Sequence, residues 1–169
     1  MDALDDETLR ELIPALRRFA LWLARDAANA DDLVQSCLER ALSRWGSKRP
    51  AGSLKSWLFT ILYRQFVDSR RRASRLQRFV EVFSDEPQLE PSAEDTVMAR
   101  SALESFGQLS ADQRALLLMI SVEGFSYQEA AQALDIPIGT VMSRLSRARQ
   151  AYRQLTDGET VTTPLRRVK

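Results

Sequence analysis

The sequence predicts an all-α chain: two small helical domains joined by a flexible linker, the C-terminal one containing a helix-turn-helix. Three observations carry this. Apolar residues recur at three- and four-residue spacings in almost every periodic stretch. No segment of useful length alternates with period two. Between residues 83 and 95 the periodicity lapses, and Pro87 and Pro91 stand among Asp85, Glu86, Glu90, Glu94 and Asp95, the composition of a solvated linker. The boundaries that follow are a first domain over 5–78, a linker over 79–92, a second domain over 93–156 and a polar tail over 157–169.

In the first predicted helix, Thr8 to Arg25, the residues Leu9, Leu12, Ile13, Leu16, Phe19, Ala20 and Leu23 form one apolar stripe. A second helix opens at Asn29 or Ala30 and runs to about Trp45, with Asn29 as N-cap and Asp31 and Asp32 at the positive end of the helix dipole. Gly46 to Ser53 is a loop by its Gly46, Pro50 and Gly52. A third helix spans about Leu54 to Leu76. Beyond the linker, helical pattern resumes near Ala93, and Ser110 caps a helix of Gln113 to Val122 that Gly124 ends. Cys37, flanked by Leu33, Val34, Leu38 and Ala41, lies on the apolar side of its helix and is expected to be a buried small hydrophobe.

Composition excludes much chemistry. Without histidine there is no Ser-His-Asp or Cys-His site and no imidazole ligand, and one cysteine makes neither an internal disulfide nor a thiolate zinc cage. No two of the six glycines have the spacing of a phosphate-cradling loop. No enzymatic activity, metal or cofactor is expected. The longest apolar runs, Phe19 to Ala24 and Ala115 to Ile120, are far below the ~20 residues of a membrane span. The acidic N-terminus is unlike a secretory signal. A cytoplasmic protein with no membrane insertion of its own is expected.

The net charge of +1 conceals a strong pattern. Residues 40–78 carry eleven basic and one acidic side chain, net +10, and residues 136–169 carry seven and two, net +5. Residues 1–39 are net −5 and residues 79–135 net −9, from four basic against nine acidic and two against eleven. Two basic blocks separated by an acidic one suggest two anionic contacts, with nucleic acid as the usual partner.

Residues 126–155 specify the second contact. Ser126-Tyr127-Gln128-Glu129 starts a short helix whose inner Ala130, Ala131, Ala133 and Leu134 permit close packing. Asp135-Ile136-Pro137-Ile138-Gly139 breaks it, and Thr140 is expected to cap a longer helix from Val141. This is the helix-turn-helix pattern. On a wheel of about 100° per residue, Val141, Leu145, Ala148, Tyr152 and Leu155 share an arc of about 80° that packs on the domain. Ser143, Ser146, Arg147 and Gln150 lie opposite, with Arg144 and Met142 on the flanks. Arg can pair with guanine in the major groove, and Ser with base edges or phosphates.

The third helix surrounds itself with Trp57, Leu58, Phe59, Ile61, Leu62 and Phe66. Its remaining face holds Ser56, Thr60, Tyr63, Arg64, Val67 and Arg71, with Arg70, Arg72, Arg75 and Arg78 following and Lys48 and Arg49 in the loop before it. Aromatics beside cations suit single-stranded nucleic acid, but each ring taken singly belongs in a core. The polar face and loop are therefore the candidate contact. The second helix exposes Asp32, Gln35, Ser36, Glu39, Arg40 and Ser43. An acidic stripe of this kind would repel DNA and suits a protein partner, although a merely solvated face has the same composition. A stand-alone helix-turn-helix transcriptional regulator, with residues 5–78 as a sensing or dimerising domain, is the alternative on these features alone.

DDLVQ at 31–35, Arg40-Ala41 and SLKSWLFTIL at 53–62 before an arginine run resemble the second conserved domain of bacterial sigma factors. LSADQRALLLMISVEGFSYQEAAQALDIPIGTVMSRLSRAR at 109–149 resembles their fourth. Together they resemble the extracytoplasmic-function group of the sigma-70 family over residues about 8–155. The resemblance implies a non-catalytic initiation subunit that binds core RNA polymerase at the β′ clamp helices and β flap, directs it to promoter DNA and often serves stress responses. It assigns Asp31, Asp32, Gln35 and Glu39 to the polymerase. It gives Lys48, Arg49, Ser53, Thr60, Tyr63, Arg64 and Arg71 to recognition and opening of the −10 element, and Thr140, Met142, Ser143, Arg144, Ser146 and Arg147 to the −35 element. It also implies an anti-sigma factor that covers these surfaces, around which a flexible linker would let the domains close. Two positions depart from the family: Arg64 or a neighbour stands where many relatives have asparagine, and Met142 where Lys or Arg is common.

Overall fold

The computed structural model describes residues 6–47, 52–77 and 97–160. Among them every regular element is helical: α1 (Asp6–Ala24), α2 (Ala27–Ser43), a 3-10 turn (Trp45–Ser47), α3 (Leu54–Gln77), α4 (Val97–Gln108), α5 (Ala111–Leu117), α6 (Tyr127–Leu134) and α7 (Ile138–Thr160). The linker assigned to 79–92, the loop cations Lys48 and Arg49 and most of the tail fall outside the described residues.

The first three helices pack as a sequential trio. Leu16, Phe19, Ala20 and Leu23 of α1 meet Ala30, Val34, Cys37 and Ala41 of α2 and Leu58, Phe59, Leu62 and Phe66 of α3, all buried. The stripe read from the first helix is thus the core face. Cys37 is fully buried beside the Leu58 carbonyl (Sγ···O 3.3 Å), and burial pushes its thiol up to about 12.

The junction of α1 and α2 is tighter than the sequence suggests. Arg25 adopts a left-handed conformation (φ 56°), ending α1. Asp26 then caps α2, its carboxylate accepting from the Asn29 backbone N–H at 2.7 Å. Asn29 is therefore not the cap but the N3 residue. The helix starts earlier because a carboxylate takes the capping role as well as an amide oxygen does. It also ends earlier than Trp45, at Ser43, with Trp45 in the 3-10 turn and its ring 6.0 Å from that of Trp57.

In the second half, Ser110 caps α5 through a reciprocal capping box with Gln113, so the helix begins at Ala111. It then widens into a π-helical turn, Leu118–Val122, before Gly124 (φ 71°) closes it. The Glu123 N–H reaches back to the Leu118 carbonyl at 2.8 Å, and the Phe125 N–H to that of Met119 at 2.9 Å. Ser126 caps α6, again by a capping box, with Glu129. Asp135 in the left-handed region (φ 56°) makes the turn. Thr140 does not cap the next helix: α7 starts at Ile138, directly after Pro137, and the Thr140 N–H already donates to the Pro137 carbonyl at 2.9 Å.

The two halves do not stand apart. A single buried cluster runs from Leu16, Phe19 and Phe59 into Ala111, Ala115, Leu118, Met119, Phe125 and Ala133. Phe59 is its hinge point, with ring centroids 4.9 Å from Phe19 and 5.0 Å from Phe125. A second cluster, Leu109, Leu116, Leu117, Ala130, Ala131, Val141, Leu145 and Ala148, belongs to the C-terminal helices alone.

Candidate functional site

The helix-turn-helix is α6–turn–α7. Ala130, Ala131 and Ala133 are buried under α7, and Val141, Leu145 and Ala148 form the packing stripe of α7, with Tyr152 and Leu155 half-buried behind them. The opposite face presents Met142, Ser143, Arg144, Ser146 and Arg147 to solvent, and Thr140 sits half-buried at its N-terminal end. Ser143 Oγ is turned to the Thr140 carbonyl at 3.1 Å. The six −35 candidates thus lie on the first turns of one helix, clear of the core.

On α2 the four polymerase candidates Asp31, Asp32, Gln35 and Glu39 are all exposed on one flank. Three of them make local side-chain bonds. Arg17 of α1 donates through Nε to Asp31 at 2.7 Å, which lowers the Asp31 carboxyl from its ordinary value chiefly by that hydrogen bond. Gln35 Nε2 donates to Glu39 Oε1 at 3.0 Å. Asp31 is therefore half of an exposed ion pair on that flank.

The −10 candidates are divided. Ser53, Arg64 and Arg71 are exposed. Thr60 is half-buried, its hydroxyl donating to the Ser56 carbonyl at 2.7 Å. Tyr63 is half-buried and its hydroxyl donates to Asp112 of α5 at 3.0 Å. Burial first, and the Asp112 carboxylate second, raise the Tyr63 phenol well above its ordinary value, while Arg144 and Arg70 oppose them. The rings behave as core, as expected for each singly: Phe59 and Phe66 are buried and Trp57 is half-buried.

Residues not foreseen from the sequence join the halves. Glu123, whose side chain is 4% exposed, accepts from Arg18 Nε at 2.9 Å and Nη2 at 2.5 Å, and its other oxygen lies 3.3 Å from Lys55 Nζ. Lys55 Nζ also donates to the Glu123 carbonyl at 2.6 Å and stands 5.4 Å from the Phe125 ring centre. Arg114, 6% exposed, donates to the Trp22 carbonyl at 2.7 Å, the Leu23 carbonyl at 3.3 Å, the Gly107 carbonyl at 3.2 Å and the Leu109 carbonyl. It thereby caps the C-terminal ends of α1 and α4 together. Ser56 Oγ lies 3.3 Å from Glu129 Oε1. The partners that bridge the two halves are 49 to 105 residues apart, so no local spacing announces them.

Comparison with known proteins accords with this geometry. Residues 99–151 match the family model "Sigma-70, region 4", and residues 9–63 match "Sigma2 domain of PhyR". The chain is 36% identical over 149 residues to the ECF RNA polymerase sigma factor EcfG of Rhodopseudomonas palustris, covering 88% of this chain and 82% of that protein. It is 36% identical over 146 residues to the ECF RNA polymerase sigma factor SigL of Mycobacterium tuberculosis, covering 82% and 80%. Among solved structures it resembles the sigma factor RpoE in complex with the anti-sigma factor NepR from Bartonella quintana, at TM-score 0.78 and 35% identity over 89% of this chain and 97% of that one. A two-domain helical fold, an exposed reading helix and relatives along nearly the whole length agree: the chain belongs to the extracytoplasmic-function sigma factors of RNA polymerase. It is an alternative sigma factor, and the free-standing regulator is set aside. No helix among the described residues is long and apolar enough to cross a membrane.

Proposed function

We propose that three surfaces divide the work of initiation in this chain. The flank of α2 bearing Asp31, Asp32, Gln35 and Glu39 docks on the β′ clamp helices of core polymerase. The polar side of α3, with Thr60, Tyr63, Arg64 and Arg71, together with Ser53 and the loop cations Lys48 and Arg49 before it, reads and opens the −10 element. The first turns of α7 read the −35 element through Thr140, Met142, Ser143, Arg144, Ser146 and Arg147, while the same half rests on the β flap. The chain itself performs no bond chemistry and works in the cytoplasm.

The observation that carries the reading is the two-faced α7, buried at Val141, Leu145 and Ala148 and cationic at Arg144 and Arg147. Sequence-reading side chains at the start of a helix whose other face is locked in a core are what major-groove docking requires. Control by an anti-sigma factor is supported by the Bartonella quintana relative, whose structure contains one.

The residue assignments are tested with purified core polymerase. Asp32→Lys with Glu39→Lys is expected to abolish co-elution of the chain with core while leaving helicity intact. Arg144→Ala and Arg147→Ala are expected to leave co-elution unchanged and weaken −35 discrimination, by about 1–3 kcal/mol where the arginine pairs with a base. Retained co-elution in the first case, or unaltered promoter preference in the second, would contradict the assignment.

A further inference from the structure

Met142 is 49% exposed in the middle of a cationic surface. From Ile138 to Arg153, α7 carries Arg144, Arg147, Arg149 and Arg153, all exposed, and no acidic residue. Ile138, one turn before Met142 on the same side of the helix, is exposed as well. On the helical wheel Met142 stands beside Ser146 and Arg149, on the flank of α7 that turns toward the start of α6. There it lines a groove with Tyr127, Leu145 and Arg153.

A lone exposed methionine is ordinary on a protein surface. On this one it is not neutral, because a duplex held by the arginines encloses it. The thioether has no proton to donate and is a weak acceptor, so it neither bonds a phosphate nor reads the hydrogen-bonding edge of a base. Set against polar edges, Met142 only strips water from them, at a cost. One group in the major groove suits it: the C5-methyl of thymine. The unbranched side chain, with three rotatable bonds, adapts to a methyl without demanding a fixed geometry.

Resting on the assignment of the first turns of α7 to the −35 element, we propose that Met142 is a specificity-determining residue that reads thymine there through its C5-methyl group. The arginines around it supply the charge that keeps the duplex close. Met142 supplies none, and its contact instead discriminates against cytosine, which lacks the methyl and presents an amino donor where thymine has the O4 acceptor. The apolar flank and the cationic face of one helix thus read different features of the same groove.

The test uses holoenzyme assembled from core polymerase and the full chain, on a promoter whose start site depends on the chain. Each thymine of its −35 element, on either strand, is replaced in turn by deoxyuridine, which removes the methyl and keeps the base pair, and affinity is measured by competition. Wild-type holoenzyme is expected to bind about fourfold more weakly when one particular thymine loses its methyl, the worth of one buried methyl-sized group. Met142→Ala should bind the unmodified promoter more weakly by a similar factor and be indifferent to that replacement, whereas Met142→Leu should keep the sensitivity. Wild-type binding unmoved by every replacement, a −35 element without thymine, or a Met142→Ala variant as sensitive as wild type would overturn the methyl contact. Loss of co-elution with core in Met142→Ala would overturn it too, since the residue would then face protein. A chain that stimulates no start site fails the sigma-factor reading and takes this contact with it; insensitivity at a working promoter removes the contact alone.

Discussion

The Tyr63 hydroxyl of α3 donates to the Asp112 carboxylate of α5 at 3.0 Å, tying a residue assigned to the −10 element to the opposite half of the chain. The bond has a consequence for pH. Burial and Asp112 disfavour the phenolate, so the folded chain holds its Tyr63 proton to higher pH than the unfolded chain, whose phenol titrates near 10.0. Stability from this group is complete below that value and declines as pH rises above it through the folded-state value. Asp112→Asn is expected to bring the Tyr63 titration, followed by ultraviolet difference absorbance, down toward 10.0. Tyr63→Phe should cost about 1 kcal/mol in urea unfolding, the usual net worth of a partly buried hydrogen bond. No shift in titration on Asp112→Asn would show that the bond does not persist in solution.

The start of α6 joins the two halves as well as capping a helix. Ser126 and Glu129 form the capping box, and Glu129 also faces Ser56. Hydrogen bonds from the Ser126 backbone N–H first, and its side chain second, lower the Glu129 carboxyl. Ser126→Ala is expected to destabilise the chain by about 1 kcal/mol. The depressed Glu129 contributes its stability above the ordinary value of 4.5 and loses it as pH falls through the folded-state value. The penalty of Ser126→Ala, read from urea midpoints, should therefore shrink below pH 4.5. A penalty constant down to the acid transition would contradict the coupling.

Cys37 offers a probe of the first core. Its thiol is pushed up to about 12 by burial and has no exposed surface. At neutral pH it should react with a disulfide reagent only through unfolding, with a rate that rises along the urea transition. Fast labelling of the folded chain would show that α1, α2 and α3 open locally around it.

Periodicity made the helices legible because each half buries one stripe per helix: Leu16, Phe19 and Leu23 on α1, and Val141, Leu145 and Ala148 on α7, are the residues the spacing selects. The cap at Ser110 was legible, since a single candidate stood in place there. Caps were misread where two polar residues competed, Asp26 against Asn29, and where Ile138 and Gly139 at the end of a turn were already helical. The exposed faces of α2 and α7 could be assigned from a helical wheel alone, since exposure there follows from the opposite face being buried. The closure could not. Nothing in the local pattern singles out Glu123, Arg18 or Lys55, and the π-helical turn that ends at Val122 has no spacing of its own in the apolar run Ala115 to Ile120. Pairing across 105 residues is decided by tertiary packing, on which local pattern is silent.

The central claim, that this chain directs polymerase to promoters through α3 and α7, is tested most directly by transcription from genomic promoter fragments with purified core RNA polymerase, with and without the chain. Start sites should appear only when the chain is added. Their upstream sequences should align into two elements, and Arg144→Ala with Arg147→Ala should reduce initiation at those sites while leaving core binding intact. Absence of any stimulated start site, together with specific duplex binding by the chain alone, would contradict the account.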